Sequence, residues 1–214
     1  MCFSPSVSFI ASGVLLTAGI ASLKQVRERS QIPLACIPLI FSAQQFCEGM
    51  IWISFPGRQN TSTIFMYAFL VFAQVIWPFW VPLSVFTVER VEKRRKLLKV
   101  ILGIGVLLSL FLLISLLIFP AGMSISEHHI HYELGRRASI ISLFYLVVTV
   151  VPLFISGSKG MNRVGAVVLI SMIATYIFFR GHFISVWCLF AAVISFMIFF
   201  VVKDKNSSIP DGSV

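Results

Sequence analysis

Glu48 is the acidic residue around which chemistry inside this chain would be built, because no other Asp or Glu interrupts its long apolar runs. Gln44 and Gln45 precede it by four and three residues, and Trp52 follows it by four. On a helix, side chains three and four residues apart are surface neighbours. An ionisable side chain in an apolar helix is costly, so this stripe indicates a ligand, metal or proton site, or else an interhelical hydrogen bond.

Side chains that bind transition metals are concentrated near the same end of the apolar runs. Imidazole, thiolate and carboxylate groups together suit Zn²⁺ or copper, so zinc or copper is the cofactor we expect if a metal is bound. No two histidines have the i, i+4 spacing of a helical metal site, and the alternative is a wet loop whose histidines contact solvent or lipid headgroups. The candidate metal ligands are Cys2, Cys47, Glu48, His128, His129, His131, His182 and Cys188.

These side chains have to be positioned by a bundle of membrane-spanning helices. The chain has 214 residues, 58% of them hydrophobic, with a mean hydropathy of +0.96. Too few charged side chains are present to cover a soluble surface, which excludes an ordinary soluble domain. About 20 apolar residues span about 30 Å of hydrocarbon. Seven windows of this kind occur, at approximately 6–23, 32–54, 64–87, 100–119, 138–157, 164–179 and 183–202.

The sequence therefore predicts an all-α polytopic transmembrane bundle of seven helices in a single domain, residues 1–202. The polar stretch 203–214 is predicted to be a short disordered cytoplasmic tail. The boundary between the sixth and seventh helices, at Arg180 to His182, is either a true loop or a break inside a re-entrant segment.

The net charge of +9 sets the orientation rather than indicating nucleic acid. With the N-terminus outside, thirteen Lys and Arg residues fall on the inner side and four on the outer side. Because short cytoplasmic loops carry the excess of basic residues, we expect the N-terminus outside and the C-terminus inside. The expected partners are the lipid bilayer and anionic lipid at the cytoplasmic face. The four outer basic residues are Arg58, Arg136, Arg137 and Arg180.

The third window supplies a polar side chain and two prolines. Pro78 removes the backbone hydrogen bond to the Gln74 carbonyl, and Pro82 removes the one to the Pro78 carbonyl. The freed carbonyls require a polar partner or water, and the resulting kinks permit a cavity. Trp77 and Trp80 lie too deep for the outer aromatic belt, so they belong to the inner belt or line a pocket. The predicted ligand pocket is formed by Gln44, Gln45, Glu48, Trp52, Gln74 and Trp187.

The sequence lacks the residues that several known mechanisms require. No lysine lies inside a window, which excludes a retinal Schiff base, and no nucleotide-binding loop or serine-hydrolase elbow occurs. A metal-dependent hydrolase of the alkaline-ceramidase type is similar in architecture, since that superfamily also has seven helices with the N-terminus outside. The paired His-x-x-x-His of its last helix is missing here, where His182 stands alone.

Three strings carry a closer resemblance: the opening Met-Cys-Phe-Ser at residues 1–4, Gln-Gln-Phe-Cys-Glu-Gly-Met-Ile-Trp at 44–52, and Gly-His-Phe-Ile-Ser-Val-Trp-Cys-Leu-Phe-Ala-Ala at 181–192. Together they resemble a family of small, functionally uncharacterised bacterial multi-pass membrane proteins whose members begin with Met-Cys-Phe-Ser. The resemblance implies an integral membrane protein of about this size, and we expect it in the bacterial inner membrane. It implies no reaction, cofactor or catalytic residue.

Three hypotheses follow. The leading one is an outward-opening polar pocket around Glu48 that binds or transports a metal ion or small solute. The second is a membrane-embedded metal-dependent hydrolase that acts on lipid, with Cys, His and Glu as metal ligands. The third is a structural or interaction protein without a pocket. The sequence leaves open whether the protein is an enzyme.

Overall fold

The structure is a computed structural model that describes residues 4–55, 57, 59–126, 129–133, 139–178 and 183–207. These residues form seven helical segments and one β-hairpin. The segments are α1 (Pro5–Lys24), α2 (Ile32–Ala35 and Ile37–Ser54), α3 (Gln59–Val88), α4 (Glu92–Ile118), α5 (Ser139–Ile155), α6 (Lys159–Phe178) and α7 (Phe183–Ser195 and Met197–Ser207). The hairpin, between α4 and α5, consists of the antiparallel strands β1 (Gly122–Ser126) and β2 (His129–Glu133).

Six of the helical segments are long and apolar enough to cross a membrane, and α5 is a shorter apolar helix. Much of their surface is apolar and exposed, as at Leu107 and Leu117 on α4, whose side chains are 68% and 77% exposed. Exposed apolar surface on this scale is typical of helices that contact lipid. The prediction of an all-α bundle of long apolar helices is confirmed.

The helices extend beyond the apolar windows at the end of the bundle where the basic loops meet. α4 begins at Glu92 and α6 at Lys159, while α7 continues to Ser207, into the stretch predicted to be a disordered tail. The added residues at the start of α4 are Glu, Lys and Arg, which favour helices in water. Residues 208–214 of that tail lie outside the described part, as do residues 179–182 between α6 and α7. We call this end of the bundle the basic end and the opposite one the hairpin end.

Five helices close a ring: α2 packs on α3, α3 on α5, α5 on α6, α6 on α7, and α7 on α2. The other two segments pack on the outside of this ring, α1 against α2 and α7, and α4 against α3 and α5. The face of α2 that carries Glu48 therefore has neighbours on both sides within the ring. This arrangement explains why α2 is the most buried of the six long segments.

Small residues allow α1 to approach α2 closely. Ser12 and Ser42 exchange hydrogen bonds, since each hydroxyl donates to the other residue's carbonyl, at 2.9 and 2.8 Å. A Cβ on Gly49 would lie 2.9 Å from the Phe9 ring. Small residues and hydroxyl groups are the usual means of packing apolar helices where the hydrophobic effect supplies no attraction between them.

The prolines of α3 distort its backbone as the sequence predicts. A π-helical turn covers Val71–Ile76, immediately before Pro78. In this wider i to i+5 register, the nitrogen facing the Ala73 carbonyl would be that of Pro78, which carries no hydrogen. Tyr145 of α5 supplies the missing donor, since its hydroxyl donates to the Ala73 carbonyl at 2.6 Å. The polar partner required by the proline is thus a side chain of the neighbouring helix.

The second proline of α3 determines how α4 packs. Pro82 cannot donate to the Pro78 carbonyl, and this oxygen faces the α-carbon of Gly105, where any Cβ would overlap it. A contact between a glycine α-carbon and a carbonyl oxygen is a weak hydrogen bond that recurs between closely packed helices. The close approach of the α3 backbone to α4 therefore requires a residue without a Cβ at Gly105.

We predict that Gly105→Ala lowers the stability of the bundle by about 1–3 kcal/mol, because the added methyl group forces α4 away from a rigid proline-containing backbone. The measurement is the apparent melting temperature of the protein in one detergent. Gly103→Ala is the matched control, since a Cβ at Gly103 meets nothing within 4 Å. It should leave the melting temperature unchanged or raise it slightly. Equal melting temperatures for the two variants would contradict this packing.

Candidate functional site

The buried polar residues of α2 form a layer across the ring together with one residue from α3 and one from α7. Ser185 donates its hydroxyl hydrogen to Glu48 Oε1, and Trp77 Nε1 donates to Gln44 Oε1 at 2.9 Å. Gln45 lies beside the Glu48 carboxyl, although neither of its polar atoms reaches a partner with full hydrogen-bond geometry. Glu48 is 1% exposed and both glutamines are 0% exposed. We call Gln44, Gln45, Glu48, Trp77 and Ser185 the polar layer.

The polar layer retains hydrogen-bonding capacity. Gln44 uses its oxygen on Trp77, while its Nε2 atom is buried without a hydrogen-bond partner among the described residues. The side chain of Gln45 is equally buried and lies against the Glu48 carboxyl. A buried polar atom without a partner costs about 1–3 kcal/mol, which a bound polar group or water would recover.

An apolar cavity of about 80 Å³ lies within the ring, next to the polar layer. It is lined from all five ring helices, including Phe41 of α2, Trp77 of α3, Tyr145 and Thr149 of α5, Val168 of α6, and Trp187, Cys188 and Ala191 of α7. Phe41 stacks on Trp77 with ring centroids 3.9 Å apart, and Gln44 and Gln45 follow Phe41 by three and four residues on α2. We call this space the axial cavity, with the polar layer at its hairpin end.

The predicted pocket residues divide between these two features. Gln44, Gln45 and Glu48 belong to the polar layer, and Trp187 lines the axial cavity. Gln74 is buried in the π-helical turn of α3. Trp52 is half-buried, with its Nε1 atom buried and without a hydrogen-bond partner among the described residues. The stripe on α2 is thus assembled with other helices as expected, although Glu48 is enclosed between helices and does not line the axial cavity.

The predicted metal ligands receive no comparable support. Among the described residues, no three His, Cys, Asp or Glu side chains come together as a metal site. Cys47 and Cys188 are buried in one apolar cluster, and neither forms a disulfide. His131 pairs with Ser124 in the hairpin. For His129, the structure describes the backbone in β2 and not the side chain. Cys2, His128 and His182 lie outside the described residues.

The hairpin packs on an apolar cluster that includes residues of α2, α3 and α7. Ile130 and Tyr132 of β2 are buried, and the Tyr132 ring stacks on Phe69 of α3 with centroids 4.9 Å apart. The same apolar cluster contains Cys47, which is next to Glu48 in the sequence, and Cys188, which is three residues after Ser185. Cys188 also lines the axial cavity, so the cluster and the cavity meet at α7.

Two residues of the site were not singled out from the sequence. Ser185 stands in an apolar helix where serines are frequent, so nothing local distinguishes it from Ser195. Tyr145 is one of several aromatic residues in the apolar helices, and it donates to the Ala73 carbonyl of α3 and lines the axial cavity. For Trp77, the sequence signal was its depth, and in the structure its side chain borders the axial cavity.

Several long apolar helices around a buried polar layer define the class, a multi-pass helical membrane protein. Residues 1–212 match a family described as "Family of unknown function (DUF6629)", and the chain belongs to this family. The resemblance to an uncharacterised family is therefore supported over nearly the whole chain. No curated protein and no solved structure matches the chain.

We predict that Ser185→Ala destabilises the bundle by about 1–3 kcal/mol, because it leaves a buried carboxyl oxygen without its donor. Ser109→Ala is a matched control, since Ser109 is also buried in a helix and its hydroxyl has no hydrogen-bond partner among the described residues. That substitution should be neutral or stabilising. The melting temperatures of both variants and the parent, in the same detergent, give the comparison. Equal losses for the two serines would contradict the role of Ser185.

Proposed function

We propose that this protein is a membrane-embedded binding protein, or carrier, for a small molecule that has an apolar body and one hydrogen-bonding group. The apolar body occupies the axial cavity, and the polar group meets the polar layer at its hairpin end. The observation that carries the proposal is an apolar cavity whose wall includes Trp77, the residue that donates to Gln44, together with the buried Gln44 Nε2 atom that has no hydrogen-bond partner among the described residues.

The dimensions of the cavity support a small ligand. A cavity of about 10–15 Å³ holds a single water, and a cavity of about 150 Å³ admits benzene. At about 80 Å³, the axial cavity suits a few heavy atoms, or a slightly larger body after modest side-chain movement. Binding sites in helix bundles typically combine such apolar walls with a few polar groups that orient the ligand.

The proposal narrows the small-solute hypothesis from the sequence to a molecule with an apolar body and one hydrogen-bonding group. A metal ion as the bound species draws no support from the described residues, and neither does a metal-dependent lipid hydrolase. The proposal places the N-terminus outside and the C-terminus inside, on the inner membrane of a bacterium. The distribution of Lys and Arg supports this orientation, since the basic loops all belong to one end of the bundle.

The proposal can be tested with 2,2,2-trichloroethanol, which combines an apolar group with one hydroxyl and quenches tryptophan fluorescence. Trp77 and Trp187 line the axial cavity, so binding should produce a saturable decrease in their emission. Chloroform is the comparison, since it quenches similarly and lacks the hydroxyl. A hydrogen bond is worth about 0.5–1.5 kcal/mol, so trichloroethanol should bind about two- to tenfold more tightly. Gln44→Leu should abolish that difference.

Ala191→Leu fills the axial cavity and should remove the saturable quenching. Val193→Leu is the matched control on the same helix, because Val193 is 62% exposed on the outside of the bundle. It should leave quenching unchanged. Quenching that rises linearly with concentration, or that is the same in both variants, would show partition into detergent and contradict the proposed site. Thr149→Leu, from a different wall of the cavity, provides an independent second variant.

A further inference from the structure

A second, polar cleft of about 380 Å³ opens at the basic end of the bundle. It is bordered by the link between α1 and α2, the link between α3 and α4, the turn before α6, and the last turns of α7. Its ion pair, Glu28 with Arg90, has side chains that are 42% and 72% exposed, so the cleft is open to water. We call it the basal cleft.

Four of the helices that line the axial cavity also reach the basal cleft. On each of them, a residue that lines the cavity and one that lines the cleft are four to seven positions apart, or about 6–11 Å of helix. The two spaces are therefore neighbours along the axis of the ring. The pairs are Ile37 and Gln31 for α2, Val81 and Val88 for α3, Val164 and Gly160 for α6, and Ile198 and Asp204 for α7.

Apolar side chains fill the interval between the two spaces. The first segment of α2 packs on α3 and on the second segment of α7, which packs in turn on α6, so the four helices meet at this level. Each contributes a side chain that is 0% exposed to a single apolar cluster. We call the set Leu34, Val85, Met161 and Val202 the apolar layer, and it separates the axial cavity from the basal cleft.

The part of α2 that carries Leu34 is separated by a helix break from the part that carries the polar layer. The break is at Cys36, between Ile32–Ala35 and Ile37–Ser54. Pro38 explains it, because a proline has no backbone hydrogen to donate to the Leu34 carbonyl. The short first segment is therefore hinged relative to the rest of α2.

A second break separates the end of α7 that carries Val202 from the part next to the polar layer. The Phe196 nitrogen donates to the Val193 carbonyl at 3.2 Å, one residue short of its α-helical partner Ala192. The Ala192 carbonyl accepts instead from the Ser195 hydroxyl, at 2.6 Å. Serine side chains that compete for backbone acceptors in this way bend helices. Two residues of the apolar layer thus stand on hinged helix ends.

We propose that the apolar layer is a gate through which the ligand passes between the basal cleft and the axial cavity. This inference rests on the proposed function, in which the axial cavity holds a small apolar molecule. The gate opens when the hinged ends of α2 and α7 tilt away from the axis at Cys36 and Phe196. A closed apolar constriction excludes water and ions. In the proposed orientation, this route connects the cavity with the cytoplasmic side.

The test is the rate at which 2,2,2-trichloroethanol quenches tryptophan emission, measured by stopped-flow fluorescence on the detergent-purified protein. Met161→Ala shortens a side chain of the gate without changing a residue that lines the axial cavity. Both the association and the dissociation rate constant should rise about three- to tenfold, while their ratio stays within about twofold of the parent, because a gate changes rates and not affinity. Val85→Ala, a smaller truncation on α3, carries the same expectation if Met161→Ala fails to fold.

Met66→Ala is the matched control, because it makes the same truncation at a residue that is 2% exposed in the cluster at the hairpin end. It should leave both rate constants within about twofold of the parent. Pro38→Ala restores a donor for the Leu34 carbonyl, so it should stiffen the hinge of α2 and slow both rate constants. Saturable quenching with the same rate constants in Met161→Ala, Val85→Ala and the parent would overturn the gate.

Modification of Cys188 tests the gate independently of ligand binding. Cys188 lines the axial cavity, and methyl methanethiosulfonate adds a methylthio group to it. Met161→Ala should accelerate this modification and leave that of Cys47, the buried neighbour of Glu48, unchanged, as followed by mass spectrometry of peptides. Acceleration at Cys188 without saturable quenching would contradict the proposed ligand and support the gate. An unchanged rate at Cys188 would overturn the gate.

Discussion

The carboxyl group of Glu48 imposes the main constraint on this bundle, since it lies in an apolar ring of helices and must find a partner there. Ser185 provides that partner from α7, and the contact closes the ring between α2 and α7. Gln44 and Trp77 form the equivalent contact between α2 and α3. α2 thus holds both of its ring neighbours through polar side chains within four residues of each other, and the hydrophobic effect does not have to supply that specificity.

The prolines impose a second constraint that works in the same way. Pro78 leaves the Ala73 carbonyl to Tyr145, and Pro82 leaves the Pro78 carbonyl to the α-carbon of Gly105. Each irregularity of α3 therefore specifies a neighbour, α5 in one case and α4 in the other. Tyr145 then serves both purposes, because the same side chain lines the axial cavity. The cavity lies where helices are kept apart by these polar contacts and by large aromatic side chains.

Local sequence patterns were sufficient to predict the helices and the polar face of α2. Apolar windows predicted the segments, and i, i+4 spacing placed Gln44 beside Glu48. The partner of Glu48 is 137 residues away in the chain, and no local period encodes a pairing over that distance. The enclosure of Glu48, in place of an outward-opening pocket, depends on how the hairpin and α7 pack.

A double-mutant cycle between Glu48 and Ser185 tests the central interaction most directly. Glu48→Leu, Ser185→Ala and the double variant would be compared for stability in one detergent, with Ser109→Ala replacing Ser185→Ala in a parallel cycle. The account predicts a coupling free energy of about 1 kcal/mol or more for the Glu48 and Ser185 pair. It predicts additivity within about 0.5 kcal/mol for Glu48 and Ser109. Additive effects in the first cycle would show that α2 and α7 are not joined through these two side chains, and would contradict the account.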